Sequence, residues 1–338
     1  MNLNSIGRLM DMMKKREMMI DNTKFTTNKG PWFGELPVPS GGDYDFAFIS
    51  DRTGGAVHGM FEKGLEAAKQ LNPDFIISIG DLVEGYWTDE AEAHGEWDRI
   101  DPMLAELDIP LFQTVGNHDY GTEAMINVWR ERKGVDYYAF RYDRTLFLIA
   151  NTETAPLTLP ESMLHIMQQV NRELIRNPQA LFMDLMQDLA GESVPTEAFK
   201  MSEDTLIDPH LSSEQIDFFE RVLAENTDVD WTFVCLHQPA WKKPDPIFER
   251  LEQLLADRPY TVVSGHVHYL EVTEKHGRQY IQMGKTGGLH CFEGKGDIHH
   301  ILSVKVRGGV PQFEVILLEG EGGTDTLDAY VKQAAEKG

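Results

Sequence analysis

The 338-residue chain is 41% hydrophobic, enough apolar material for one large domain or two ordinary ones. Its 55 acidic against 31 basic residues leave a formal net charge of −24, a field that repels polyanions and makes long nucleic acids poor substrates. No apolar run approaches the roughly 20 residues of a membrane span. The charges at Arg8, Asp11, Lys14, Lys15, Arg16 and Glu17 leave no apolar block for a secretory signal, so a cytoplasmic protein is expected. Two cysteines, Cys235 and Cys291, cannot build a disulfide framework and read as reduced, buried thiols.

Residues 1–42 hold six of the fifteen Met. Ile6, Leu9, Met10 and Met13 recur at helical spacing, which predicts a short amphipathic helix before a Gly- and Pro-punctuated lead-in over 30–42. This reads as an N-terminal arm that packs on its own domain or on a second copy in a homo-oligomer, with membrane-surface binding as the competing reading. From 43 to 320, β-branched and aromatic runs at 45–50, 75–79, 111–115, 146–150, 231–236 and 260–264 read as buried strands. Amphipathic stretches at 57–70, 90–107, 123–133, 212–226 and 246–256 read as helices, with Asn72-Pro73 and Asp108-Ile109-Pro110 as breakers. The alternation predicts an α/β fold whose sheet is covered by helices. Residues 152–210 interrupt the rhythm as a helical cap, with a Met-rich helix around 163–189. Antiparallel strands are expected at 280–283, 301–306 and 312–318, Gly308-Gly309 forming the turn, followed by an acidic tail over 321–338 with a short helix at 328–337.

Five of these strands end in residues that bind hard or borderline divalent ions: Asp51, Gly80-Asp81, Gly116-Asn117-His118-Asp119, His237 and Gly265-His266-Val267-His268. In open α/β sheets the loops at the carboxyl ends of strands meet in one crevice, so donors far apart in sequence can converge. A lone Asp there is more often a turn or helix cap, and a lone His a satisfied core or surface group. It is the joint pattern that carries weight.

In order and spacing these motifs resemble the calcineurin-like metallophosphoesterase superfamily, including purple acid phosphatases. The resemblance implies a four-layer α/β/β/α sandwich and two divalent or mixed-valence ions of Mn, Fe, Zn or Mg. It also implies hydrolysis of a phosphate ester by a metal-bridging hydroxide, and the acidic chain and the cap point to a small phosphomonoester or phosphodiester as the substrate. A binding or scaffold protein that keeps the fold without the activity is the alternative. The two ions, about 3.5–4 Å apart, would share a carboxylate and acidify a water. The ligand sets implied are Asp51, Asp81 and His268 for one ion and Asp81, Asn117, His237 and His266 for the other. His118 would protonate the leaving oxygen or stabilise the transition state, with Asp119 orienting its ring, and Gly80, Gly116 and Gly265 would let the backbone turn beside the ions.

The first motif departs from the usual Asp-x-His, reading Asp51-Arg52-Thr53-Gly54-Gly55; the Thr53 hydroxyl is a weak ligand. Purple acid phosphatases use a Tyr three residues after the second-motif aspartate, and Glu84 stands there, expected to reach the first ion and favour a harder metal. Arg52 is expected to hold substrate phosphate oxygens or to pair with an acid. His58, His94, His165, His210, His276, His290, His299 and His300 lack such a context and read as structural or solvated.

Overall fold

The computed structural model describes residues 16–155, 159–190, 203–292, 294, 296–320 and 323–330. The helix expected around Ile6 to Met13 and most of the one at 328–337 lie outside them. Two seven-stranded sheets pack face to face. The first centres on parallel β3 (Tyr44–Ile49), β4 (Phe75–Ser78) and β5 (Leu111–Gln113), flanked by antiparallel β2 (Trp32–Phe33), β12 (His300–Arg307), β13 (Val310–Leu317) and β14 (Gly323–Thr326). The second runs β1 (Arg16–Met19), β6 (Tyr138–Tyr142), β7 (Thr145–Ile149), β8 (Trp231–Cys235), β9 (Tyr260–Ser264), β11 (Arg278–Gln282), β10 (Glu271–Lys275), with β7, β8, β9 and β11 parallel.

Period-two alternation builds the layers. Phe46 and Phe48 of β3 enter the space between the sheets, where Phe147 and Phe233 stack at 5.3 Å and 7° and Phe46 meets Phe147 edge-on at 5.3 Å. Ala47 and Ile49 face the other way, onto Phe61 and Leu65 of α1 (Met60–Gln70), Trp97 and Ile100 of α2 (Glu90–Ala105) and Trp129 of α4 (Glu123–Arg132), which follows the short α3 (Asn117–Tyr120). Behind the second sheet, Leu146, Leu148, Val234 and Val262 pack on Ile216, Phe219, Leu251 and Leu255. Those four come from α8 (Ser213–Glu225) and α9 (Pro246–Leu255). The result is the α/β/β/α sandwich. Asp89, Thr122, Ser212 and Asp245 each accept backbone N–H bonds at the helix starts, satisfying donors a bare helix end would leave open.

Three differences from the expectations have physical causes. The stretch at 163–189 is two helices, α5 (Glu161–Arg176) and α6 (Phe182–Ala190), because Pro178 disfavours helical backbone at Asn177; a short α7 (Glu203–Leu206) follows. Within the arm, Arg16–Met19 pairs with β6 as an edge strand, a pairing supplied by a partner over a hundred residues away. Polar β10 escapes a hydrophobic pattern because one neighbour, β11, satisfies its backbone at the sheet edge. The Gly308-Gly309 turn stands as expected, both residues at positive φ. Cys235 is buried, but Cys291 is exposed.

A candidate metal centre at the carboxyl ends of both sheets

Asp51, Asp81, Asn117, His237, His266 and His268 lie just beyond parallel strands, and the chain leaves β3, β4 and β9 through left-handed backbone. Asp51 (φ 44°), Asp81 (φ 56°), His266 (φ 75°) and His268 (φ 61°) hold conformations that cost a non-glycine residue roughly 1–2 kcal/mol. Such strain persists where surrounding bonds overdetermine it. His118 N–H donates to Asp81 Oδ1 at 2.9 Å, His266 N–H to Asp51 Oδ1 at 2.9 Å, and Ser50 Oγ to Asp51 Oδ2. Two glycines leave the space: a Cβ at Gly116 would sit 2.2 Å from Asp81 Oδ1, and one at Gly265 2.3 Å from Asp51 Oδ2.

Backbone carbonyls fix the imidazole rings. His237 Nδ1 donates to Ile79 O at 2.8 Å, His266 Nε2 to Leu206 O at 2.9 Å, and His268 Nδ1 to Leu289 O at 2.9 Å. A carbonyl only accepts, so the proton of each neutral ring is committed there and the other nitrogen is left as a lone pair. Those lone pairs meet other acceptors. His266 Nδ1 lies 2.7 Å from Asn117 Oδ1, His237 Nε2 lies 3.0 Å from the same oxygen and 3.1 Å from Asp81 Oδ2, and the two nitrogens are 3.3 Å apart. Asn117 Nδ2 donates to the Tyr86 hydroxyl at 2.7 Å, which turns Oδ1 toward the two rings. The donor atoms of Asp81, His237 and His266 all fall within 4.8 Å of one another. Asp51 Oδ1 and His268 Nε2 stand 3.6 Å apart on the other side. This N/O set suits a borderline or hard divalent cation.

The electrostatics lead the same way. Burial opposes ionisation of Asp81, yet His237 holds its carboxyl well below the usual carboxylate range. Burial likewise opposes a charge on His237, yet Asp81 raises that ring to about 10. Burial drives His266 down to about 3 and His268 to about 4, so both are neutral at pH 7. Asp51 is pushed up to about 7 by burial and the Asp81 charge. A proton on His237 therefore supplies the positive charge the carboxylates demand. One proton cannot serve every contact, and His266 against Asn117 stays acceptor against acceptor.

The remaining sequence candidates sit around this cluster. His118 Nδ1 donates to Glu84 O at 2.7 Å, its ring edge-on to Tyr86 at 4.8 Å. Burial lowers its pKa, but Asp81 and Glu84 outweigh that and raise it. The expectation that Asp119 orients this ring is corrected. Its oxygens accept from the N–H groups of Asp81, Leu82, Val83 and Gly116, because a carboxylate two residues into α3 turns back over the helix start. Glu84 accepts from Gly55 N–H at 3.2 Å and Ala56 N–H at 2.7 Å, so its carboxylate holds the first-motif loop. Arg52 donates to Leu82 O at 3.1 Å, and the buried Thr53 hydroxyl has no partner. Sequence reasoning missed Tyr86, which sits at φ 58° with only 4% of its surface exposed; no motif marks it.

The sequence matches the profile of the calcineurin-like phosphoesterases over residues 46–270, well over half of the chain. The chain belongs to this family. It is a metal-dependent hydrolase of phosphoric esters, and its α/β/β/α layers are those of a metallophosphoesterase. Among solved structures, a dimetal phosphatase from Danio rerio matches with a TM-score of 0.52 at 13% identity, covering 84% of this chain and 98% of that one. PhoD matches at 0.56 and 13%, covering 86% and 70%. GAP50, the anchor in the inner membrane complex of Plasmodium, matches at 0.50 and 15%, covering 85% and 89%. At these identities the likeness is one of fold. No curated protein matches the chain. No helix of this phosphoesterase among the described residues is long and apolar enough to cross a membrane.

Proposed function

We propose that this metallophosphoesterase hydrolyses a small phosphomonoester or phosphodiester at a two-ion centre held by Asp51, Asp81 and His268 on one side and Asp81, Asn117, His237 and His266 on the other. The observation that carries the reading is the convergence of Asn117 Oδ1, His237 Nε2, His266 Nδ1 and Asp81 Oδ2, in which His266 faces the Asn117 oxygen acceptor to acceptor. When bound, divalent ions would acidify a shared water and neutralise phosphate charge. The protein's own contribution is positional. His118, fixed through Nδ1 and with a raised pKa, can carry a second proton on Nε2 and pass it to the leaving oxygen. Arg52, beside Asp51, supplies a guanidinium fork for equatorial oxygens.

The net charge of −24 and the cap favour a small substrate. Gln168 and Asn171 of α5 donate to the carbonyls of Tyr86 and Gly85 at 2.9 Å each, and the Phe182 ring lies about where a Cβ on Gly55 would touch it. The cap thus borders the centre.

The test is turnover of nitrophenyl mono- and diesters with added Mn or Mg. His118→Ala is expected to lower kcat about 10²–10⁴-fold at unchanged ion content. Arg52→Ala is expected to raise KM while ion content stays constant; an unaltered KM would remove Arg52 from substrate binding. The GAP50 neighbour, described as an anchor, is a reminder that the fold alone does not make an enzyme. Absence of turnover with every metal would leave the scaffold reading standing.

A further inference from the structure

Among the described residues, lone pairs face a carboxylate in this way at one further place, where His290, His299 and Glu319 bring one donor atom each within 4.8 Å of one another. His299, at the foot of β12, is 1% exposed, and its Nε2 donates to Gly288 O at 2.8 Å. The neutral ring then presents Nδ1 as a lone pair. This buried Nδ1 faces Glu319 Oε1 3.0 Å away. His290 packs edge-on against His299, with centroids 4.5 Å apart. Its Nδ1 lies 2.8 Å from Asp297 Oδ1, and its Nε2 lies 3.3 Å from the same Glu319 Oε1.

Each ring is thus held through one nitrogen by an oxygen acceptor, Gly288 O or Asp297, and turns the other toward one carboxylate oxygen. Outer-shell bonding of this kind orients imidazoles that ligate metals. Asp297 is itself anchored by an ion pair with the buried Lys285. Burial depresses the His299 pKa against the pull of Glu319, which favours a neutral ring. The His290 and Glu319 side chains are each 43% exposed, which leaves room for water to complete a coordination shell.

We propose that His290, His299 and Glu319 form a third cation site, separate from the two-ion centre, that takes a zinc-type divalent ion through two imidazole nitrogens and one carboxylate oxygen. An ion there ties the 288–290 segment to Glu319, beyond β13. That segment also supports the catalytic centre: Gly288 N–H donates to Asp51 O at 2.9 Å, and Leu289 O holds His268 Nδ1 at 2.9 Å. The third ion would therefore brace the loop behind Asp51 and His268 without touching substrate.

The experiment counts zinc. Wild type, His290→Ala and Glu319→Gln, each the full chain, are stripped of metal, re-equilibrated with zinc, desalted and analysed by mass spectrometry. Each variant is expected to hold one zinc fewer per chain than wild type, and crystals of zinc-loaded wild type are expected to show anomalous density between the three side chains. Both replaced side chains are substantially exposed, and matching melting temperatures of the stripped proteins check that all three fold alike. All three retain every residue assigned to the two-ion centre, so failure of that assignment lowers the counts equally and leaves the difference intact. Equal zinc in wild type and both variants, or anomalous density confined to the central cluster, overturns the proposal.

Discussion

Asn117 serves a cation only while its side chain is held against the His237 and His266 rings, and a hydrogen bond to the Tyr86 hydroxyl tethers it there. Tyr86→Phe keeps the ring against His118 but removes the hydroxyl that tethers the Asn117 amide beside those rings. Loss of such an outer bond is expected to weaken ion affinity about 10–100-fold, read by competition with a chelator; unchanged affinity would sever the hydroxyl from the centre. Glu84 answers to a different measurement. With both oxygens engaged by Gly55 and Ala56 N–H groups, Glu84→Ala should cost about 1–3 kcal/mol in denaturant unfolding by stranding those donors, with both ions retained. Loss of one ion in that variant would return Glu84 to the ligand set. Spacing alone pointed to Glu84 as a ligand, whereas the contacts that engage it depend on how two loops cross.

Among the elements, the informative ones are the strand ends and the cap. β3, β4 and β9 each deliver their donors within a few residues of the last sheet bond, through backbone that is left-handed at Asp51, Asp81, His266 and His268. The sheets are stiff, so the donors arrive already in place, and the strain is offset by the dense packing behind them. The cap helix α5 acts on the loop opposite. Asn171 holds Gly85 O, one residue beyond the Glu84 carbonyl that fixes the His118 ring. Asn171→Ala removes a bond worth about 1 kcal/mol and is expected to lower kcat several-fold with ion content unchanged. Kinetics of nitrophenyl ester turnover beside a metal count would show it, and an unaltered kcat would confine α5 to a purely covering role.

For the molecule as a whole, acid stability gives a prediction with a definite sign. His300 is fully buried and neutral, its Nε2 accepting from Gly284 N–H at 2.9 Å, and burial lowers its pKa from 6.5 to about 4. The unfolded chain takes up the proton first as pH falls below 6.5, so this group's contribution to stability shrinks between pH 6.5 and 4 and is constant outside that window. From pH 7 to 5 the loss amounts to about 2 kcal/mol. In His300→Gln, which accepts the same bond without titrating, the fall over that interval should be smaller by that amount in denaturant unfolding. Parallel losses in the two proteins would mean that His300 keeps its proton balance on unfolding.

The amino-acid sequence by itself determined the α/β alternation, the Gly308-Gly309 turn and the chain positions of Asp51, Asp81, Asn117, His237, His266 and His268, because hydrophobic period and strand-end chemistry are local properties. The tertiary structure alone decided which nitrogen of each imidazole is free, that Asp119 braces backbone while Glu84 O holds His118, and that Tyr86 restrains Asn117. It likewise drew His290 and His299 to Glu319. All of these are contacts between segments distant along the chain, set by how two sheets and their loops pack, and no spacing along one strand or helix encodes them.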